Sequence, residues 1–268
     1  MQGRLAPPEG DRLQAFPRDS WASEFAPAAE AGFDCIEWIY DSYGEDVNPL
    51  AEDDGVRQIR ELAAAHGVAV RSLCADWLME HPPFGQGADP WADGLAWLLA
   101  RSAQAGFERI VVPFVDAAAP SDGDRRRAIV AAVNRALPDA ERHGIELHLE
   151  TSLGPQDFAG LLGELDHPLV WVNYDSGNSA ALGYDPTEEF DAYGTRIGSF
   201  HIKDRVRDGG SVPLGTGDAK LELVFGLFEQ IGYRGDAILQ AARGSLGDEL
   251  AWARQNITLV RAQSARAI

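Results

Sequence analysis

The chain has 268 residues, of which 45% are apolar, enough for the core of a large domain. It carries 23 Lys and Arg against 42 Asp and Glu, a formal charge of −19 that would repel a phosphate backbone, so a nucleic-acid partner is disfavoured. Two cysteines are too few for a disulfide framework, the first residues lack the features of a secretory signal, and no run approaches the roughly 18 apolar residues of a membrane span. These features predict a soluble, cytoplasmic protein with no membrane partner.

A recurring joint organises the chain: a segment with helical spacing ends at a glycine, and a short β-rich run follows. Glycine is favoured just past a helix end because it adopts the left-handed conformation without a Cβ clash. The joints stand at 31–39, 66–74, 105–114, 143–150 and 231–239. Five returns from helix to strand predict parallel βαβ units.

Counting all β-rich runs gives eight predicted strands. They lie near 1–4, 34–39, 68–74, 109–114, 145–150, 169–175, 196–203 and 236–241. Eight strands that alternate with helices predict a closed (β/α)8 TIM barrel of the α/β class, with residues 1–268 as a single domain. No glycine-rich phosphate loop follows the first run, which disfavours an open doubly wound sheet. Pro138, within the helix predicted at 124–142, indicates a kink or break near Leu137.

Four polar residues close predicted strands at the end where TIM barrels place their active sites. They are Glu150 in ELHLET, Asp175 in VNYDSGN, His201 in SFHIKD and Gln240 in AILQAARG. Taken singly, an acidic residue there often caps a helix, and a histidine there often only makes a hydrogen bond. Together they predict a site for Mn²⁺, Mg²⁺, Co²⁺ or Zn²⁺, and the lack of thiolates disfavours a structural zinc.

The motifs MQGRL, GFDCIEW, LHLET, NYDSGN, FHIKDR and PLGTGD follow one another along nearly the whole chain. In content, order and spacing they resemble the sugar phosphate isomerase/epimerase family, also called xylose-isomerase-like or endonuclease-IV-like TIM barrels. The resemblance implies one divalent ion, with Mn²⁺ as the first candidate, bound by Glu150, Asp175 and His201. The fourth ligand of the family is a Glu, whereas this chain has Gln240, whose amide cannot take up a proton as a carboxylate does. Asn178 stands where relatives often have a substrate-contacting His.

Charged residues near these positions are candidates for contact with substrate. Lys203 shares a strand face with His201, and the resemblance implies that Arg207 touches substrate; a solvated loop charge is the alternative for both. Glu37 ends an apolar run and is expected to point into the site. His148 lies two residues before Glu150, so both side chains point into the barrel; it is interpreted as a polar residue of the core, with a supporting contact to the ligand residues as the alternative.

Aromatic side chains commonly line sugar sites, and four of them fall at or just after strand ends. The four are Trp38, Trp77, Phe84 and Phe114, and two of them are expected to touch the ligand. The segment 79–87 is predicted to form a loop over the mouth of the barrel, with His81 as a further substrate contact.

The resemblance implies a metal-dependent isomerase of a sugar or sugar phosphate, in which Glu150 moves a substrate proton through a cis-enediolate. A sugar 3-epimerase and a dehydratase of a keto-sugar or inosose remain alternatives. Epimerisation usually needs a base on each face of the sugar, so Glu150 alone favours isomerisation or elimination. A non-catalytic carbohydrate-binding barrel is a further alternative, because Gln240 removes a usual base.

An apurinic endonuclease is disfavoured, since it would need more His and carboxylate ligands and a less negative chain. The expected partner is a small carbohydrate. Whether that sugar is phosphorylated, and whether the chain forms a homo-oligomer, are left open.

Overall fold

Seven parallel strands, each hydrogen-bonded to the next along the chain, form one sheet in the described residues. The computed structural model describes residues 1–12, 14–85, 88–245 and 247–264. The strands are β1 (Cys35–Ile39), β2 (Ala69–Cys74), β3 (Arg109–Phe114), β4 (Glu146–Thr151), β5 (Val170–Asp175), β6 (Ile197–Ile202) and β7 (Ala237–Leu239). They correspond to the last seven of the eight predicted strands.

The first predicted strand, at 1–4, is not a regular strand. The carbonyl of Met1 accepts a hydrogen bond from the Glu37 amide (2.8 Å), and the Gln2 amide donates to the Leu239 carbonyl (3.3 Å). The segment therefore contacts both β1 and β7 and occupies the place of the eighth strand, but Gly3, at φ 51°, ends its extended course. The TIM barrel predicted from the sequence is confirmed, and its closure is irregular.

Helices follow the strands and surround the sheet. They are α1 (Phe25–Ala31), α2 (Asp53–His66), α3 (Asp76–Glu80), α4 (Ala88–Ala105), α5 (Gly123–His143), α6 (Pro155–Glu164), α7 (Ser176–Leu182), α8 (Pro186–Tyr193), α9 (Leu221–Gln230) and α10 (Glu249–Ser264). The predicted joints end helices as expected, for example at Gly32 (φ 88°) and Gly144 (φ 66°). None of the helices in the described part of the chain is long and apolar enough to cross a bilayer.

Pro138 lies inside α5 without ending it, so of the kink or break expected near Leu137 the break does not occur. A proline removes the N–H that would bond the carbonyl four residues earlier, here that of Asn134. Both Pro138 and Asn134 are exposed. Water can therefore satisfy the freed carbonyl, and the helix continues.

Asp204, directly after β6, holds the PLGTGD loop (213–218) against the barrel. Its Oδ2 accepts hydrogen bonds from the amides of Gly215 (2.8 Å) and Gly217 (2.9 Å), and its Oδ1 accepts one from Ala219 (3.1 Å). The residue itself is only 1% exposed. The amides of this loop are thus directed at a carboxylate of the protein, which leaves them poorly placed to bind a phosphate.

Asp204→Ala is expected to lower the free energy of unfolding by at least about 3 kcal/mol, because it removes the acceptor of three amide groups at once. Urea denaturation would measure the loss. Glu229→Ala, on the exposed face of α9, is the control and should change stability by less than about 0.5 kcal/mol. Equal stability of the two variants would show that the loop does not depend on Asp204.

Candidate metal centre and active site

The four strand-end residues converge at one end of the barrel, as the sequence predicted. Glu150 is the penultimate residue of β4, Asp175 closes β5, His201 lies near the end of β6 and Gln240 directly follows β7. None of the four is more than 7% exposed. Glu150, Asp175 and His201 each offer a ligand atom, and these atoms all lie within 4.8 Å of one another.

His201 is held by Glu37 from β1. Its Nε2 lies 2.7 Å from Oε1 of Glu37, and neither side chain is exposed to solvent. Burial opposes a charge on the imidazole, but the carboxylates of Glu37 and Glu150 outweigh it and raise the pKa of His201 to about 10. Burial likewise opposes ionisation of Glu37, yet the charge and hydrogen bond of His201 hold the pKa of Glu37 below its usual value. Glu37 therefore fixes the ring and directs Nδ1 toward the site.

The carboxylate of Glu150 is oriented by two side-chain amides. Nδ2 of Asn173 donates to Oε2 and Nδ2 of Asn178 donates to Oε1, both at 2.7 Å. Each amide is itself fixed, because Oδ1 of Asn173 accepts from the Ser199 hydroxyl (2.6 Å) and Oδ1 of Asn178 accepts from Arg205 (2.9 Å). Asn178 thus helps to orient the carboxylate of Glu150 by donating a hydrogen bond to it.

Asp175 caps a helix and faces the centre at the same time. Its Oδ1 accepts hydrogen bonds from the amides of Gly177 (2.9 Å) and Asn178 (2.8 Å) at the start of α7, while its Oδ2 pairs with Nζ of Lys203 (2.9 Å). Burial raises the pKa of Asp175, but Lys203 and His201 together bring it below its usual value. Oδ1 therefore makes the helix cap considered for this residue, while Oδ2 faces Lys203 and His201.

Among the four strand-end residues, two buried atoms lack hydrogen-bond partners in the described part of the chain: Nδ1 of His201 and Oε1 of Gln240. Nδ1 lies 3.4 Å from Oε2 of Glu150 and 3.9 Å from Oδ2 of Asp175. Buried polar atoms are rarely left unpaired, and both atoms are of types that bind metals. Two carboxylates, an imidazole and an amide oxygen fit a divalent ion such as Mn²⁺, Mg²⁺, Co²⁺ or Zn²⁺.

A cleft of about 520 Å³ lies above this centre, lined on one side by Glu150 and Gln240. Its walls also carry many charged side chains: Arg4, Arg12, Asp41, Asp76, Lys203 and Arg205. Arg4 is only 6% exposed and is anchored by the carbonyls of Gln2 and Ala241, each 3.2 Å from a guanidinium nitrogen.

The charged and amide residues expected to contact substrate separate into two groups. Lys203 and Asn178 line the cleft. Arg207 does not, since its side chain is 70% exposed and its Nε lies 4.0 Å from Asp208. Arg205 lines the cleft in place of Arg207. The Gly209 carbonyl accepts hydrogen bonds from Nε (3.0 Å) and Nη2 (2.8 Å) of Arg205.

The aromatic residues expected to touch ligand lie outside the cleft lining in the described structure. Trp38 is buried against Phe16 and Trp21, and Phe114 is buried against Trp91. The ring of Trp77 stacks on that of His81 at 4.3 Å, and Phe84 lies under the guanidinium of Arg125. Of the loop predicted at 79–87, residues 79 and 80 instead form the end of α3 and line the cleft, and residues 86 and 87 lie outside the described residues.

Asp76 is a cleft residue that the sequence reasoning missed. It follows β2, where its Oδ2 accepts from Nε2 of Gln14 (2.6 Å) and its Oδ1 lies 3.3 Å from Sγ of Cys74. Burial, with smaller contributions from Asp41 and Glu150, raises the pKa of Asp76 to about 6. Its position after a strand end, in SLCAD, was the available signal.

Asp76 is expected to make stability fall as the pH rises. The pKa of Asp76 changes from 3.8 to about 6 on folding. Below about pH 3.8 Asp76 is protonated in both the folded and the unfolded state. Above about pH 6 it is ionised in both, and the folded state has then lost about 3 kcal/mol relative to the unfolded state. Asp76→Asn removes this penalty. The unfolding free energy of the variant minus that of the wild type should therefore increase by about 2.4 kcal/mol between pH 4 and pH 7.

Urea denaturation at four or five pH values would measure that difference. Asp191→Asn, on the exposed side of α8, is the control for removing a single carboxylate, and Asp76→Asn should show the larger change with pH. A difference for Asp76→Asn that does not change with pH would contradict the raised pKa.

Comparison with known proteins gives a family match over most of the chain. Residues 25–263 match the family described as "Xylose isomerase-like TIM barrel". No curated protein matches the chain.

Solved structures share the fold at low sequence identity. L-ribulose 3-epimerase superposes with a TM-score of 0.79 and 16% identity, over 100% of this chain and 94% of that one. A xylose isomerase-like TIM barrel protein from Mycobacterium smegmatis, in complex with magnesium, gives 0.73 and 21% over 98% and 94%. The 3-keto-D-glucoside 4-epimerase from E. coli, in its apo form, gives 0.72 and 17% over 98% of each chain. At these identities the likeness establishes the fold.

Proposed function

The chain belongs to the xylose isomerase-like TIM barrel family, and we propose that it is a divalent-metal-dependent isomerase of a sugar or sugar phosphate. The observation that carries the proposal is the convergence of Glu150, Asp175, His201 and Gln240 beneath a charged cleft, with two buried ligand atoms left unpaired. That set of groups is suited to binding an ion that a substrate can reach from the cleft.

The ion would be held by Oε2 of Glu150, Oδ2 of Asp175, Nδ1 of His201 and Oε1 of Gln240. When bound, it supplies Lewis-acid chemistry that polarises the substrate carbonyl and stabilises the negative charge of an enediolate. Mn²⁺ is the first candidate. The Mycobacterium smegmatis protein of the same fold, which is in complex with magnesium, supports a divalent ion in general.

Glu150 is the proposed base. Asn173 and Asn178 hold both of its oxygens at the floor of the cleft, so the carboxylate is preorganised. It takes the proton from the carbon next to the carbonyl and returns it to the neighbouring carbon, while the hydroxyl proton passes between the two oxygens. The reaction therefore gains and loses no atoms.

Cationic side chains would orient the rest of the substrate. Lys203 stands beside Asp175, where a positive charge favours a developing oxyanion. Arg4 and Arg205 are fixed by backbone carbonyls and line the cleft. Their planar donor groups suit the hydroxyl groups of a sugar or the oxygens of a phosphate.

A 3-epimerase is the second candidate, and Asp76 favours it. Epimerisation needs a proton donor on the face of the sugar opposite the base. Asp76, after β2, lines the same cleft as Glu150 on β4, and a carboxyl with a pKa near 6 can exchange protons at neutral pH. The names of L-ribulose 3-epimerase and 3-keto-D-glucoside 4-epimerase, which share the fold, add support.

Incubation with Mn²⁺ and a panel of aldoses, ketoses and their phosphates in heavy water, followed by NMR, tests the proposal. An isomerase interconverts an aldose and a ketose and carries deuterium to the exchanged carbon; an epimerase inverts one carbon and labels it. EDTA-treated protein is the control and should give neither result. Loss of 18 mass units by mass spectrometry would identify a dehydratase, and no reaction of any sugar with Mn²⁺, Mg²⁺, Co²⁺ or Zn²⁺ would contradict catalysis.

A further inference from the structure

Four buried polar side chains form a hydrogen-bonded chain that links β6 to the end of β7 through β1 and Gln2. Nε2 of His201 lies 2.7 Å from Oε1 of Glu37, Nε2 of Gln2 donates to the same oxygen (3.2 Å), and Nε2 of Gln240 donates to Oε1 of Gln2 (2.5 Å). None of these four residues is more than 4% exposed. The chain thus joins one predicted ligand, His201, to another, Gln240.

The hydrogen bonds in this chain have a fixed direction. A carboxylate paired with His201 only accepts hydrogen bonds, so Gln2 must turn its NH₂ group toward Glu37. The side-chain oxygen of Gln2 then faces Gln240, which must donate a hydrogen bond to it from its own NH₂ group. Oε1 of Gln240 is left free, and it is one of the two unpaired buried atoms among the four strand-end residues.

This direction matters because position 240 carries an amide. A carboxylate presents an oxygen to an ion in either orientation, whereas an amide turned by 180° presents an NH₂ group, which a cation repels. A ligand set that contains Gln240 therefore needs a partner that fixes the amide.

Gln2 reaches this position because Met1 and Gln2 form backbone hydrogen bonds with the strands on either side, β1 and β7. The carbonyl of Met1 accepts from Glu37, and the amide of Gln2 donates to Leu239. The irregular closure of the barrel thus places one side chain between Glu37 and Gln240.

We propose that Gln2 is a positioning residue that holds the amide of Gln240 with its oxygen toward the metal ion. The proposal rests on the metal site of the proposed function. It assigns the second residue of the chain a role in metal affinity without contact to the ion.

A double-mutant cycle on Mn²⁺ affinity, measured by calorimetry on the full chain, tests it. Gln2→Met keeps the size of the side chain and removes the amide, and we expect it to weaken Mn²⁺ binding about 10-fold or more. In a Gln240→Met background the same change should alter the affinity less than about twofold, because no amide remains to be oriented. Gln14→Met, which removes an amide of the cleft outside this chain, should leave the affinity within about twofold.

Additive effects of Gln2→Met and Gln240→Met would overturn the proposal, because a general loss of structure weakens binding in both backgrounds. A second measurement needs no variant. The side-chain carbonyl ¹³C resonance of Gln240 should shift when Mg²⁺ is added to the labelled wild-type protein.

No shift of that resonance, with shifts at the carboxylates of Glu150 and Asp175, would overturn the role of Gln2 and leave the metal site intact. If the wild type binds neither Mn²⁺ nor Mg²⁺, the positioning role and the proposed function both fail.

Discussion

Replacing Glu150 by glutamine is expected to lower kcat at least about 1000-fold while weakening Mn²⁺ binding only about 10-fold. A glutamine still offers an oxygen to the ion, but it cannot accept the substrate proton at neutral pH. Part of the loss in binding comes from Asn173 and Asn178, which both donate to Glu150, so that the new NH₂ group faces a donor. Steady-state kinetics with the substrate found in the heavy-water screen, together with calorimetry, would measure both effects.

Glu146→Gln is the matched control, because Glu146 lies on the same strand and binds His148 instead of the site. Its kcat should stay within about threefold of the wild type. If Glu150→Gln kept more than about a tenth of the wild-type rate, Glu150 would not be the base. Asp76 would then be tested first, since Glu37 is committed to His201.

His201→Ala is expected to weaken Mn²⁺ binding at least about 100-fold, because it removes the imidazole ligand and frees Glu37 from its partner. His148→Ala is the control: its two ring nitrogens bind Ser199 (2.8 Å) and Glu146 (3.0 Å) in the core, and its loss should leave the affinity within about threefold. Calorimetric titration with Mn²⁺ would compare the two variants.

The His201 variant is also expected to be less stable, by about 3–5 kcal/mol, because it leaves the buried carboxylate of Glu37 without its cation. Adding Glu37→Gln should restore part of this stability without restoring Mn²⁺ affinity. Wild-type affinity in His201→Ala would remove His201 from the ligand set.

The regular part of the fold could be predicted because its signals are local. A glycine after a helix and a β-rich run behind it mark five of the strands, as at Gly32 and Gly144. The closure at 1–4 depends instead on which strands flank the segment, and Gly3 interrupts it. A proline such as Pro138 can be placed within a helix only when the exposure of its freed carbonyl is known.

The ligand positions could be predicted because a barrel brings the ends of its strands together. Their supporting residues could not, because the contacts of Glu150 with Asn173 and of Gln240 with Gln2 depend on which strands are neighbours. Arg205 was missed because the chain turns back after β6, where Arg205 pairs with Ser211, so strand spacing no longer applies.

Strand alternation explains why two aromatic residues lie in the core. Successive side chains of a strand point to opposite faces. Glu37 points into the barrel, so Trp38 points to the opposite face and packs against Phe16 and Trp21; Pro113 lines the cleft, so Phe114 points away from it. That signal was present in the sequence, and it contradicts the expectation that these rings touch substrate.

Anomalous diffraction from crystals of the Mn²⁺-loaded protein would locate the proposed ion. We expect one strong manganese peak at the floor of the cleft, with Glu150, Asp175, His201 and Oε1 of Gln240 at about 2.0–2.3 Å. A peak at another place, or no peak from a crystal soaked at saturating Mn²⁺, would contradict it.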